Sequence, residues 1–176
     1  MLINAKLIIF GEEFKTQIEI DEAVLKAMQN EEKTGYERVR ELERYYWTGD
    51  DGSVYGSHEN ESHENEISAD DLRYDTANYY SSYDVGKNNA RANQLMRQLR
   101  RFAVENRKDK TDWNNEERSK YYISYNCSEK KIKVSTAFNL RAFGDIYFDS
   151  EEVAKKAIEE FNDELVWYFT EYKDSL

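Results

Sequence analysis

The chain has no proline in its 176 residues, where about 5% is usual, so its turns must be made by Gly, Asn, Asp and Ser. A single cysteine, Cys127, excludes an internal disulfide framework and any CxxC metal knuckle. The seven glycines are scattered and form neither GxxxxGKS/T nor GxGxxG, which removes the familiar phosphate-cradling loops. Long apolar runs are missing as well. Near the N-terminus only Leu7 to Phe10 is continuously apolar, too short for a signal peptide, and no stretch approaches a membrane span, so a cytosolic protein is expected.

What is present is aromatic and charged. Fourteen Tyr, eight Phe and three Trp within a 39% hydrophobic content are enough for a core despite 35% charged residues. The length suits one domain, or a main domain with an N-terminal appendage. Ala5 to Phe10 and Phe14 to Ile20 read as a β-hairpin, Asp21 caps a helix carrying Val24, Leu25 and Met28, and a second helical stretch is predicted from Tyr36 to Arg44 on the spacing of Val39 and Leu42. These elements make an N-terminal part over 1–44. The remainder, 45–176, reads as the main domain.

Within it, aromatic runs on either side of Gly49-Asp50-Asp51-Gly52 predict a hairpin over Arg44 to Tyr55. The pattern then vanishes from about 56 to 72, where the pentapeptide SHENE occurs twice in tandem, and a mobile acidic loop is expected. Leu95, Met96, Leu99, Phe102 and Ala103 form one apolar stripe of a helix opening after Asp84. Strands are expected over Tyr121 to Cys127, Lys131 to Asn139 and Asp145 to Phe148. A last helix follows, capped by Asp149 or Ser150, with Glu151 and Glu152 in its first turn and a stripe of Val153, Ala157, Phe161, Leu165 and Tyr168. Phe102 and Phe161 are expected on facing stripes. The expected class is α+β, an antiparallel sheet of short aromatic-rich strands packed on two main amphipathic helices, with an N-terminal hairpin and helix. The stretch Tyr79 to Lys87 also echoes Tyr147 to Lys155, which either a duplication or the common physics of Ser-capped helices explains.

Charge is segregated. Thr48 to Tyr83 carries nine carboxylates and one Arg, whereas Asp84 to Lys110 carries eight Lys or Arg and three acids. Two surfaces follow as candidates. The acidic one, Asp50, Asp51, Glu59, Glu61, Glu64, Glu66, Asp70 and Asp71, could imitate phosphates on a basic partner or simply solvate a loop. The basic one, Arg91, Arg97, Arg100, Arg101 and Arg107, could grip a nucleic-acid backbone or cover the flanks of an amphipathic helix, and the net charge of -11 argues for the acidic face instead. Tyr45, Tyr46, Trp47 and Tyr55 are interface anchors or core. His58 and His63, the two histidines, stand five apart rather than at the i, i+4 spacing of a helical zinc pair, so only a wrapped loop could use them for a metal or a metal-dependent hydrolase. Cys127 has no histidine near it in sequence. No cofactor and no catalytic residue is indicated, and the chain is read as a non-enzyme.

The stretches Ala77 to Ser81, Gln98 to Ala103, Trp113 to Tyr125 and Phe143 to the final helix resemble a family of small, mostly uncharacterised phage and prophage proteins of Gram-positive bacteria, over roughly Tyr45 to Phe169. The SHENE pair and the N-terminal hairpin depart from that family. By functional analogy the resemblance implies an anti-CRISPR-like inhibitor in the cytoplasm of a bacterial host. Its expected partner is a basic nucleic-acid-handling effector, in the leading reading a Cas9-type nuclease, whose guide or target engagement it would block.

Overall fold

The computed structural model of the chain describes residues 2–9, 12–19, 33–60, 67–108, 113–142 and 144–172. Two compact units divide between Glu37 and Arg38, ahead of the 44/45 boundary expected from sequence. The first unit contains β1 (Leu2–Ile9) and β2 (Glu12–Glu19), an antiparallel hairpin whose register sets Ile3 opposite Ile18 and Leu7 opposite Phe14. The helix expected after Asp21 lies outside the described residues.

The second unit is α+β. It runs β3 (Arg44–Thr48), β4 (Val54–His58), α1 (Ala69–Asp75), α2 (Tyr83–Glu105), β5 (Lys120–Asn126), β6 (Lys131–Ala137), β7 (Tyr147–Phe148), α3 (Glu151–Glu160), α4 (Asn162–Trp167) and a π-helical turn, Tyr168–Tyr172. Among the described residues every strand pairing is antiparallel, with β3 on β4 and a three-stranded sheet in the order β6-β5-β7. No described helix is long and apolar enough to cross a membrane.

The helix predicted up to Arg44 does not form. Two of its backbone donors are taken by distant partners: the Val39 N–H donates to the Tyr79 hydroxyl at 3.2 Å and the Leu42 N–H to the Glu59 carbonyl at 2.8 Å. Leu42 sits at φ 65°, outside any helix. The predicted final helix is likewise interrupted, at Phe161, which ends α3 and begins α4.

Beneath these elements the core gathers Leu95, Leu99, Phe102 and Ala103 of α2 with Phe148, Val153, Ala154, Ala157 and Leu165, and Ile123, Ile132 and Val134 of the sheet pack against it. Phe102 and Phe161 meet edge to face at 5.8 Å, but Phe161 is only half-buried. The echoed stretches occupy equivalent places. Tyr80 pairs with Tyr46 of β3, exchanging two N–H···O bonds of 2.8 Å, as Phe148 pairs with Tyr121 of β5. Ser82 and Ser150 then cap α2 and α3 by accepting the N–H of Val85 and Val153. Each hairpin thus receives a third segment on its first strand before a Ser-capped helix, a likeness that capping chemistry alone does not require.

Candidate functional site

The acidic candidates separate into two kinds. Glu59 and Asp70 are buried, at 4% and 1% exposure, so the expectation of a solvated loop is corrected at both. A buried carboxylate is tolerated only when paired and hydrogen-bonded, and both are saturated. Glu59 Oε1 accepts Arg38 Nε at 2.9 Å and Nη2 at 2.5 Å, while Oε2 accepts the Tyr79 hydroxyl at 2.5 Å. Asp70 Oδ1 accepts the Tyr45 hydroxyl and Arg73 Nη1, and Oδ2 accepts the backbone N–H of Asn60 at 3.0 Å and its side-chain amide at 2.6 Å. The rings of Tyr45 and Tyr79 stack at 4.1 Å between the two acids. Burial, reinforced by Glu59, pushes the Tyr79 phenol above its ordinary range.

Sequence reasoning missed α1, which carries Asp70. Its signal is a capping box: the Ser68 hydroxyl accepts the Asp71 N–H, and Asp71 Oδ2 accepts the Ser68 N–H at 3.0 Å. Asp71 Oδ1 also accepts Arg38 at 2.6 Å. The Ser68 N–H first and Arg38 second hold the Asp71 carboxyl down, from 3.8 to about 2. A carboxyl depressed by folding adds stability above its unfolded pKa and loses it as pH falls through the folded one. The urea midpoints of the wild type and Asp71→Asn are therefore expected to differ by a constant amount above about pH 4 and to converge as pH falls toward 2.

Asp50 and Asp51 are exposed on the β3–β4 turn, where Asp51 accepts the Tyr55 hydroxyl at 2.7 Å and the Ser53 N–H at 2.9 Å. Glu61, Glu64, Glu66 and His63 lie outside the described residues. Among the anchor candidates Tyr45 is core, whereas Tyr55 is 43% exposed and stacks on Trp47. His58 is exposed at the end of β4, and among the described residues no three His, Cys, Asp or Glu side chains gather as a metal site. Cys127 is an exposed thiol.

The basic candidates are freer. Arg97, Arg100, Arg101 and Arg107 are all exposed, and Arg97, Arg100 and Arg107 form no ion pair with any described residue. Arg101 approaches Glu105 only to 3.9 Å with both side chains largely in solvent, an arrangement of little energetic weight. Spacings of three, four and seven residues put Arg97, Arg100, Arg101 and the 55% exposed Val104 on one side of α2, and Arg107 follows just past its end, about 15 Å from Arg97 at the helical rise. Arg91 is different. Its guanidinium is bidentate to Glu164 at 2.8 and 3.1 Å and lies 3.9 Å from the centre of the Trp167 ring, so it is a strut between α2 and α4.

An apolar cavity of about 370 Å³ lies between α2, β5 and the π-helical turn, with Asp145 the only carboxylate among the described residues that line it. The chain matches no protein-family model, no curated protein and no solved structure.

Proposed function

We propose that this is a binding protein that engages the phosphate backbone of a nucleic acid through Arg97, Arg100, Arg101 and Arg107. One observation carries the reading: these guanidinium groups are exposed and, among the described residues, only Arg101 has an ionic partner, Glu105 at 3.9 Å, whereas Glu59, Asp70 and Asp71, of the opposing acidic set, are consumed by Arg38, Arg73 and two buried tyrosines. Guanidinium forks match phosphate oxygens bidentately. The net charge of -11 does not forbid this, because at physiological salt a surface is read over a screening length of about 8 Å rather than as a whole. The inhibitor role suggested by the phage-family resemblance takes a specific form here: the protein would compete with a defence nuclease for its nucleic acid rather than imitate that nucleic acid with its own acids.

The test is fluorescence anisotropy with a labelled oligonucleotide at rising salt. Four phosphate contacts should give a slope of log K against log[salt] of roughly -3 to -4. Absence of binding at about 50 mM salt, where such contacts are strongest, would overturn the reading.

A further inference from the structure

A groove of about 370 Å³ runs between the β3–β4 turn and the first half of α2. Gly52 and Ser53 form its wall on the turn side, and Tyr83, Lys87 and Gln94 line it on the helix side. Resting on the function proposed above, we infer that this groove receives an unpaired nucleobase stacked on Tyr83, so that the nucleic acid bound is single-stranded.

The helix phase carries the first part of the argument. At 3.6 residues per turn, Tyr83, Lys87, Gln94, Arg97 and Arg101 fall within an arc of roughly 80°. They form one track along α2 that starts in the groove and emerges on the arginine face. The two parts adjoin, because Gly52, at φ 81°, lies close to the end of the Arg97 side chain: a Cβ at that glycine would be 3.8 Å from Arg97 Nη2.

Chemistry carries the second part. Tyr83 is 48% exposed and is held by a T-shaped contact with Tyr46, 5.4 Å between centroids, without a parallel stack on any described ring. It is an aromatic platform anchored on one side and open to another, as base stacking needs. Lys87, one turn further on, is exposed and makes no ion pair with a described residue. The exposed Gln94 offers an amide with both donors and an acceptor for a base edge. Asp50 and Asp51 on the turn and Asp84 beside Tyr83 are exposed carboxylates that repel phosphate. A strand is thereby oriented with its backbone along Lys87, Arg97 and Arg101 and its base toward the turn.

Duplex nucleic acid cannot stack a base on Tyr83, since its bases are already stacked in pairs and its grooves present base edges rather than open faces. An unpaired base can leave its neighbours and lie on an aromatic ring.

The experiment is anisotropy of the full chain against a labelled oligothymidylate and against a labelled duplex of equal length, with Tyr83→Ala, Tyr83→Phe, Lys87→Gln and the Arg97→Gln, Arg100→Gln, Arg101→Gln triple. We expect Tyr83→Ala to weaken single-strand binding about 5- to 100-fold, Tyr83→Phe to bind as the wild type, and Lys87→Gln to make the single-strand salt slope shallower. Duplex binding should be unchanged in Tyr83→Ala and reduced in the triple. Single-strand binding unchanged in Tyr83→Ala, or duplex binding reduced as much as single-strand binding, would overturn the groove inference while the arginine face stands. Wild-type affinities that the triple leaves untouched would overturn the arginine face itself.

Discussion

Asp70→Ala is expected to destabilise the protein by about 3 to 5 kcal/mol, the range for removing one partner from a buried, hydrogen-bonded charge. The substitution removes the carboxylate from four donors on three residues at once. Tyr45, itself fully buried, loses the acceptor of its hydroxyl, Arg73 loses its carboxylate and keeps that hydroxyl and the Trp47 ring 4.2 Å away, and the Asn60 backbone and amide lose Oδ2. For a chain of this size the midpoint of thermal unfolding should fall on the order of 10 °C. Asp50→Ala, at an exposed turn position, should stay within about 0.5 kcal/mol of the wild type. Two acids from the same acidic run are thus expected to behave oppositely in one thermal melt. Equal midpoints for both variants would mean that Asp70 is solvated after all.

The second large effect concerns binding. Replacing Arg97, Arg100 and Arg101 together by Gln removes three phosphate contacts, each worth about one unit of salt slope and close to tenfold in affinity near 0.1 M salt. Oligonucleotide affinity is expected to fall by roughly 100- to 1,000-fold and the slope to flatten by about two to three units. The melting temperature should hardly move, since all three side chains are exposed and, among the described residues, only Arg101 has even a distant ionic partner. Arg91 is left out deliberately: its loss would strip Glu164 and Trp167 of their partner and confound binding with folding. Asp50→Asn with Asp51→Asn should leave affinity unchanged or raise it. If instead the arginine triple binds its partner normally and the aspartate pair does not, the phosphate-imitating reading of the acidic run is restored.

Periodicity and turn chemistry made the β3–β4 hairpin, the apolar stripe of α2 and the β5–β6 hairpin legible in the sequence, because each rests on contacts between residues close along the chain. The failures have physical causes of one sort. Val39 and Leu42 keep helical spacing, but their N–H groups bond to Tyr79 and Glu59, partners that no local window contains. Phe161 keeps its place in an i, i+4 series with Ala157 and Leu165, so the stripe passes across a backbone break without a mark. In the candidate site, composition places Glu59 and Asp70 in solvent because it counts carboxylates and does not see Arg38, Tyr45, Arg73 and Tyr79 closing around them. The Ser68 to Asp71 capping box is a local signal, and it starts a helix inside the stretch expected as a loop.

The Asn60 to Asp70 clamp has a consequence for how this chain can change length. The contact, with an amide-to-carboxylate distance of 2.6 Å, fastens together the two sides of the segment that holds the second SHENE copy. Once the ends of a loop are fixed by bonds outside it, closure entropy grows only with the logarithm of its length, about 0.6 kcal/mol for a doubling. Glu59 and Asn60 of the first copy belong to the fastening and cannot be altered without cost, and since their partners Arg38, Tyr79 and Asp70 all lie outside the repeat, the span to be closed between Asn60 and Asp70 is set by the fold and not by the number of pentapeptides.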